Sequence, residues 1–411
     1  MLKNNLKRKE NASIQLDLLV ISTACFTSIN RNIYKLFVRD GYSFAIVVPR
    51  ELEFNSVNKL ADPPSEDDPS IIYLDLRGKN SRTNHYENLI EVIERENPRR
   101  ILLDNEPISF MALKIGRWCS ANSVAFFCFT YENLSLRISE TYKRIGFKAL
   151  PKAIVKRLLL LMSRKLVKGL FTINNEGTFI YKSESFKNVV KVPLGFDPEI
   201  FKINNVARSK IRQLNSINCL AIAFFGRVCH EKGVHILVNA LSLLKQYNWV
   251  LIIDEFSVYK NEYNTTIHRL LEENGILSRV IFINPNHLEI ADYMNAVDIV
   301  VIPSISTPKW VEQYGRVAAE SMACGKHVIA SNTGALSMLL NGHGTLFEEG
   351  NMLALSKILE TFLISQCGNN TDLRKETSKY ARNKLSINAQ YKAMMSQFSI
   401  ISPISGQLVK V

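Results

Sequence analysis

The sequence predicts an α/β protein with two doubly wound domains, each a parallel sheet covered by helices on both faces. Short apolar runs rich in β-branched residues alternate with helical patterns along the chain, which is typical of strands buried on both faces. The chain has 411 residues, whereas single cores stop growing near ~250–300 residues. Residues 193–198, with the sequence Pro-Leu-Gly-Phe-Asp-Pro, separate two such series and form the predicted hinge. We therefore expect two domains facing each other across a cleft that holds the ligands.

The predicted strands fall into two groups. In the first group they cover residues 18–21, 44–48, 71–74, 101–103, 124–129, 170–173 and 189–192. In the second group they cover residues 220–225, 250–253, 280–283, 299–302 and 328–330. These groups predict a first domain over residues 1–195 and a second over residues 196–385. A helix is predicted for residues 386–400, and we expect the segment 386–411 to pack back on the first domain.

Composition indicates a cytoplasmic protein. Hydrophobic residues make up 46% of the chain, yet no run approaches the ~18 apolar residues of a membrane span. Residues 1–10 are basic but are followed by no apolar core, so they do not resemble a secretory signal. The seven cysteines lie far apart without a Cys-x-x-Cys pair. This spacing favours reduced thiols over disulfides or a zinc site.

The formal net charge of +13 favours anionic partners: nucleotides, nucleic acid or an acidic membrane face. Residues 143–168 carry nine lysines and arginines and no acid. As a helix, this segment has an apolar stripe and a basic side that contains Arg157, Arg164 and Lys168. Two interpretations fit equally: a helix lying on anionic lipid, or a core-packed helix with a solvated basic face. The stripe consists of Val155, Leu159, Met162 and Leu166.

The most informative segment is 307–325, which holds Glu312 and Glu320 with seven residues between them, one of which is Gly315. An apolar strand precedes it, and an Ala-rich helical run carries Glu320. A glycine lets the backbone approach a ligand closely, and a helix N-terminus offers free N–H groups to phosphate. Two carboxylates at different depths can reach hydroxyl groups. The pattern therefore predicts a site for a sugar diphosphate.

A second motif follows the first strand of the predicted second domain. It places Arg227 and Lys232 between Gly226 and Gly233 at a strand-to-helix turn. Two cations at such a turn suit a diphosphate, since Arg forks onto oxygens and Lys acts as a point charge. Alone, this turn fits a surface loop equally well. The segment 307–325 downstream strengthens the interpretation as a diphosphate site. It is neither a Walker loop nor a Gly-x-Gly-x-x-Gly fingerprint.

Together these motifs resemble the retaining glycosyltransferases of family 4, which have the GT-B fold of two Rossmann-like domains. Residues 192–201 are similar to the interdomain segment of that family. Residues 105–107 (Asn-Glu-Pro) and 131–133 (Tyr-Glu-Asn) look like landmarks of a bacterial subgroup with the pattern Thr-Pro-x-Trp-x-Glu-Gln-Phe-Gly-Arg. That subgroup is associated with exopolysaccharide and lipopolysaccharide assembly. The second-domain resemblance is specific and the first-domain resemblance is loose.

The resemblance implies a role for each candidate residue. Arg227 and Lys232 would neutralise the diphosphate leaving group, and Glu312 would contact the donor sugar. Glu320 would bind the ribose hydroxyls, and Asn284 would lie near the base. The remaining implied donor contacts are Gly226, Tyr314, Gly315, Arg316 and Val317. The implied acceptor contacts are Glu106, Glu132 and Asn133.

The resemblance also implies the reaction and its partners. A sugar would pass with retention from a UDP- or GDP-sugar to a lipid-linked or oligosaccharide acceptor. No Asp-x-Asp pair is present, so we expect no metal and no cofactor. The basic segment 143–168 would hold the enzyme on the anionic inner face of the membrane. No RNA-recognition or helix-turn-helix pattern is present, so no nucleic acid partner is expected.

Departures from the family pattern leave alternatives open. The loop 22–32 contains no glycine, which leaves its contact with substrate undecided, and Asp254-Glu255 replace a Gly-rich turn. A nucleotide-sugar epimerase of the same fold would form an isomerised sugar rather than a glycoside. A phosphorylase would need a pyridoxal-binding lysine context, which we do not find. A non-catalytic anion-binding or nucleic-acid-binding module would bind DNA with a steep salt dependence.

Overall fold

A computed structural model describes residues 15–54, 57–78, 80, 82–255, 262–286, 288–365 and 371–401. The chain divides into two compact units, residues 1–192 with 390–411, and residues 193–389. The sequence predicted this boundary after residue 195, and the structure has it after Val192. Within the described ranges, each unit contains one large sheet in which all neighbouring strands are parallel. The predicted fold class is therefore confirmed.

The first unit has a sheet of seven strands covered by helices. The sheet consists of β1 (Leu18–Ser22), β2 (Phe44–Pro49), β5 (Ser70–Leu74), β8 (Arg100–Asp104), β9 (Ala125–Thr130), β10 (Gly169–Thr172) and β11 (Val189–Lys191). Four further strands lie outside it: β3 (Glu51–Phe54), β4 (Val57–Leu60), β6 (Leu76–Arg77) and β7 (His85–Tyr86). The helices are α1 (Asn32–Arg39), α2 (Leu89–Glu96), α3 (Phe110–Ala121), α4 (Ile138–Ile145), α5 (Leu150–Leu166) and α6 (Asn175–Ser183). The sheet order is β11-β10-β9-β8-β1-β2-β5, while β3–β4 and β6–β7 form separate antiparallel pairs.

The central strands are apolar because both of their faces are covered. All five residues of β1 and of β8 are buried. Side-chain caps fix where two of the helices begin: Ser109 accepts from the N–H of Ala112 at α3, and Asn174 accepts from the N–H of Gly177 at α6. Such caps satisfy N–H groups that have no partner within the helix.

The second unit has a sheet of six strands in the order β14-β13-β12-β15-β16-β17. The strands are β12 (Leu220–Phe224), β13 (Trp249–Asp254), β14 (Val280–Ile283), β15 (Ile299–Ile302), β16 (His327–Ser331) and β17 (Thr345–Phe347). The helices are α7 (Asn205–Leu214), α8 (Val234–Ser242), α9 (Glu262–Glu273), α10 (Ile290–Ala296), α11 (Arg316–Ala323), α12 (Leu336–Leu340), α13 (Met352–Ser365) and α14 (Thr371–Lys384). Since all pairs are parallel, the loops that follow β12, β13, β14 and β15 emerge at one edge of the sheet.

The last helix, α15 (Ile387–Ile401), begins in the second unit and continues from Gln390 in the first. Phe398 is buried and meets the rings of Phe127 and Phe171 edge-on, at centroid distances of 4.7 and 5.5 Å. The hydroxyl of Tyr391 donates to the Asp40 carboxylate. The C-terminal helix therefore supplies part of the core of the first unit.

The described cysteines are free thiols, namely Cys25, Cys119, Cys128, Cys219, Cys229 and Cys324. Cys367 lies outside the described residues. In the described ranges, no helix combines the length and the apolarity needed to cross a bilayer.

Candidate functional site

The turn after β12 is built on two glycines with positive φ angles. Gly226 has φ +119°, and its N–H donates to the Asp254 carboxylate at 2.7 Å. Asp254 ends the neighbouring strand β13, and its burial raises its pKa. Gly233 has φ +66°, and a Cβ atom there would lie 1.9 Å from the carbonyl oxygen of Pro303. The turn is therefore fixed against the ends of β13 and β15.

This turn brings Lys232 to Glu312. The Lys232 Nζ atom lies 2.7 Å from Glu312 Oε2. Ser304, just after β15, donates from its hydroxyl to the same oxygen at 3.0 Å. Only 6% of Glu312 is exposed, and its backbone carbonyl accepts from the N–H of Ala335 at 3.0 Å. The result is a nearly buried carboxylate fixed by a cationic and a hydroxyl partner.

An aromatic ring completes this cluster. The Nζ atom of Lys232 lies 4.9 Å from the ring centroid of Trp310. The sequence prediction included neither Trp310 nor Ser304 among the site residues. Trp310 belongs to the Thr-Pro-x-Trp part of the pattern described above. The pattern reveals neither contact, because both depend on how the loop after β15 folds.

The segment between the two carboxylates turns sharply into α11. Gly315 has φ +90°, and a Cβ atom there would lie 2.6 Å from Leu336 Cδ2. Arg316 and Val317 open α11, and Tyr314 is buried just before it. Glu320 lies one turn into the helix, where burial raises its pKa to about 7 against the opposing effect of Arg316.

The other predicted donor residues lie on the same edge of the sheet but outside this contact cluster. Arg227 is exposed on the turn after β12, and Asn284 is exposed after β14. The sheet order β14-β13-β12-β15 puts the Asn284 loop two strands away from β12. The structure therefore joins Lys232 to Glu312 directly and places Arg227 and Asn284 along the same edge.

The predicted acceptor residues also cluster, in the first unit. Glu106, after β8, accepts from the Thr130 hydroxyl at 3.2 Å. Glu132, after β9, pairs with Lys156 at 2.6 Å and lies 3.8 Å from Arg82. Burial, and then the negative charge of Glu132, raise the pKa of Glu106 to about 7. Asn133, the third predicted residue, is buried in the next position. Sequence reasoning counted Lys156 only as one of the nine cations of residues 143–168, and so missed it as a counter-ion of Glu132.

The helix predicted within 143–168 differs from the expected pattern. It is divided into the end of α4, a short 3-10 turn and α5. The buried side chains of α5 are Ala153, Leu159, Leu160 and Ser163, and of these only Leu159 belongs to the predicted stripe. Val155 and Met162, which belonged to that stripe, are exposed, and Arg157 is paired with Glu184. Leu159 and Leu166 do pack in the core, so the predicted stripe was wrong for two of its four members. Because α5 packs against both α3 and α4, its buried face is not the simple stripe that periodicity gives.

Residues 210–384 match the sequence profile of the family described as Glycosyl transferases group 1. The sequence of this stretch is therefore similar to those of group 1 glycosyltransferases, and we refer to residues 210–384 as the group 1 glycosyltransferase domain. It contains both the Lys232 turn and the segment from Glu312 to Glu320. All the contacts of the Lys232–Glu312 cluster described above therefore come from within this one domain.

Curated relatives of this group 1 domain cover part of the chain. The D-inositol 3-phosphate glycosyltransferase of Stackebrandtia nassauensis is 29% identical over 182 residues, which are 42% of this chain and 40% of that protein. An uncharacterised glycosyltransferase of Methanocaldococcus jannaschii is 36% identical over 155 residues, which are 37% of this chain and 39% of that protein. The chain thus matches about two fifths of the length of these relatives.

The whole fold has a solved counterpart. The crystal structure of HepE from Anabaena in complex with UDP and glucose matches 94% of this chain and 100% of that chain, with a TM-score of 0.69 and 18% sequence identity. At this identity the likeness shows the fold. The chain that contains the group 1 glycosyltransferase domain therefore has the GT-B fold, as the sequence resemblance implied.

Proposed function

We propose that the protein is a retaining glycosyltransferase of family 4 that moves a sugar from a UDP- or GDP-sugar to a lipid-linked or oligosaccharide acceptor. The observation that carries the proposal is the buried Glu312 carboxylate, held by Lys232 and Ser304 beside the start of α11. This arrangement combines a cation for the diphosphate with a fixed acceptor of hydrogen bonds for a sugar hydroxyl.

The second unit has the parts needed to stabilise a departing diphosphate. Breaking the anomeric C–O bond leaves an oxocarbenium-like sugar and adds negative charge to the diphosphate. Lys232 and Arg227 face that charge as cations, and the start of α11 adds the positive end of a helix dipole. Preorganised charge of this kind is usually the largest catalytic contribution. Glu320, which lies further along α11, would accept hydrogen bonds from the ribose hydroxyls.

Retention of configuration needs no protein nucleophile in this scheme. The acceptor hydroxyl attacks the anomeric carbon from the side that the diphosphate leaves, and the departing phosphate oxygen takes the hydroxyl proton. One C–O bond breaks and one forms on the same face of the sugar. Glu312 steadies the sugar while Lys232 and Arg227 hold the leaving group.

The acceptor side of the proposal rests on the first unit. Glu106, Glu132 and Asn133 follow β8 and β9 and offer carboxyl and amide groups to sugar hydroxyls. The motif resemblance supports an acceptor in polysaccharide or lipopolysaccharide assembly. The name of the Stackebrandtia nassauensis relative indicates an inositol phosphate acceptor instead, which makes that compound a necessary arm of any acceptor screen.

We also propose that the enzyme works in the cytoplasm on the inner face of the membrane, and that α4 and α5 contact anionic lipid. Phe147, between the two helices, is 75% exposed, and Leu158 on α5 is 57% exposed. Lys152 and Lys165 are exposed on the same helix as Leu158. Exposed apolar side chains among lysines are the features by which a peripheral helix binds an anionic surface.

Transfer assays with Lys232→Ala and Glu312→Ala test the proposed function. We expect each variant to lose almost all transfer while its circular dichroism shows that the fold is kept. Lys232→Ala should melt at a lower temperature than the wild type, because it leaves the nearly buried Glu312 carboxylate without its cationic partner. NMR of the product should show a glycoside with the anomeric configuration of the donor. Near-normal turnover in either variant, or an isomerised nucleotide sugar as the product, would contradict the proposal.

A further inference from the structure

Trp310 occupies a special position in the donor site. The ammonium group of Lys232 lies over its ring, with the Nζ atom 4.9 Å from the ring centroid. A cation within about 6 Å of a tryptophan face is attracted by the ring quadrupole. The same ammonium group also contacts the carboxylate of Glu312 at 2.7 Å. Lys232 is thus held by a ring and by a carboxylate.

The backbone holds this ring in place. The N–H of Thr307 donates to the carbonyl of Trp310 at 2.8 Å, and the N–H of Trp310 donates to the Thr307 hydroxyl at 3.0 Å. One residue earlier, the hydroxyl of Ser306 donates to Glu349 at 3.0 Å and lies 2.6 Å from the Thr333 hydroxyl. A tight turn anchored at its base therefore fixes the backbone that carries the indole.

The Trp310 ring and the Glu312 carboxylate differ in how far they leave the charge and the N–H donors of Lys232 available to a ligand. The Glu312 carboxylate neutralises the ammonium and competes with phosphate for its N–H donors. The indole face attracts the cation without cancelling its charge. A lysine side chain also loses about 2 kcal/mol of rotamer entropy when it is fully ordered. A ring that orders Lys232 in advance removes part of that cost from ligand binding.

We propose that Trp310 is a positioning residue for the donor diphosphate: its ring holds Lys232 while Lys232 exchanges Glu312 for a phosphate oxygen. This inference rests on the proposed function. The exchange also releases Glu312, which keeps its hydrogen bond from Ser304, to accept a hydrogen bond from the donor sugar. Binding of the diphosphate to Lys232 thereby makes the Glu312 carboxylate available to the donor sugar.

Binding of nucleoside diphosphates tests the inference. The dissociation constants of UDP and UMP, and of GDP and GMP, are measured by calorimetry for the wild type, Trp310→Leu and Trp310→Phe. We expect Trp310→Leu to reduce the preference for the diphosphate about tenfold, which corresponds to about 1.4 kcal/mol. Trp310→Phe retains a ring face and should stay within about threefold of the wild type. Trp310→Met is the second variant without a ring, should Trp310→Leu not fold.

A second cation–ring pair in the same unit supplies a control. Arg279 lies 4.9 Å from the ring centroid of Trp249, away from the site loops. Arg279→Gln removes the same kind of contact and should lower the melting temperature while leaving the diphosphate preference unchanged.

The possible outcomes separate the positioning role from the proposed function. A wild-type preference in Trp310→Leu, or an equal loss of affinity for mono- and diphosphate, would overturn the positioning role. The positioning role would also be overturned if Trp310→Phe lost as much of the diphosphate preference as Trp310→Leu while its melting temperature stayed unchanged. Failure of the wild type to bind UDP or GDP at all would instead contradict the proposed function.

Discussion

At the scale of single residues, the proposed donor site depends on a contact between loops that are far apart in the chain. Lys232 and Glu312 are 80 positions apart and meet because β12 and β15 are neighbours in the sheet. Each neutralises the charge of the other. This pairing spares the nearly buried carboxylate the cost of an unpaired charge. It also means that a phosphate must compete with Glu312 for the lysine.

Gly233 is required for close approach as well as for its backbone conformation. Gly275 has nearly the same φ, +64° against +66°, but a Cβ atom there would meet nothing within 4 Å. Gly275→Ala should therefore cost only the left-handed penalty of about 1–2 kcal/mol. Gly233→Ala must also displace Pro303, whose carbonyl oxygen would lie 1.9 Å from the new methyl group, so we expect a larger loss of unfolding free energy in urea. Equal losses in the two variants would contradict this account.

Glu320 should make stability depend on pH. Its pKa is about 7 in the folded protein against an ordinary 4.5, because burial disfavours the charged form. Between these values the folded protein binds more protons than the unfolded chain, so stability falls as pH rises through that window. At about 1.36 kcal/mol per pKa unit, the loss above pH 7 is roughly 3 kcal/mol.

Glu320→Gln isolates this effect, since the glutamine cannot ionise while the other groups titrate alike in both proteins. The variant should gain roughly 3 kcal/mol over the wild type between about pH 4.5 and about pH 8. Urea unfolding at a series of pH values measures the difference. Parallel stability curves for the two proteins would show that Glu320 does not titrate in this window.

The sequence could predict some of these residues and not others. Lys232, Glu312 and Glu320 stand in motifs whose spacing reflects their position at strand ends and in a helix. Trp310 and Ser304 acquire their roles from side-chain direction within a loop, which spacing does not specify. Lys156 was likewise missed: the sequence analysis counted it among the cations of residues 143–168, and its pairing with Glu132 depends on tertiary packing.

At the scale of elements, long apolar strands were predictable, whereas of the described strands with two or three residues only β11 was predicted. The central strands of both sheets are continuous apolar runs, and the predicted segments coincide with them. The edge strand β17 has three residues and no such run, and β6 and β7 have two each. Their pairing depends on partners elsewhere in the chain, so local pattern could not reveal them.

Substitutions in helix α5 test directly whether its exposed apolar side chains bind lipid. Leu158→Glu with Met162→Glu places charges on side chains that are 57% and 41% exposed. We expect binding to vesicles containing phosphatidylglycerol to fall about tenfold or more, because burial of one such side chain contributes about 1.5–3 kcal/mol. Flotation or sedimentation of vesicles measures it.

The matched control for this test is Leu353→Glu on α13 of the second unit, a side chain that is 56% exposed. It should leave vesicle binding unchanged. Equal binding by the wild type and the α5 variant, or an equal loss in the control, would mean that α5 contacts no lipid.

At the scale of the whole molecule, the fold and the proposed function together indicate which anionic partners the net positive charge would bind. A charge of +13 fits nucleotides, nucleic acid and acidic membranes alike. Under the proposed function, the Lys232 turn of the group 1 domain directs part of that charge to a diphosphate ligand, and the exposed lysines of α5 direct another part to a membrane surface. The first unit matches the family pattern only loosely, so the sequence predicted the donor side more fully than the acceptor side.

Binding of a nucleotide sugar tests the central claim most directly. Melting temperatures of the wild type and Lys232→Ala are compared with UDP-, GDP-, ADP- and CMP-sugars. A ligand at ~100 times its dissociation constant stabilises by about 2.7 kcal/mol, which a thermal shift detects. The account predicts that a UDP- or GDP-sugar raises the melting temperature of the wild type and not that of Lys232→Ala. No shift with any of these donors, or the same shift in both proteins, would contradict it.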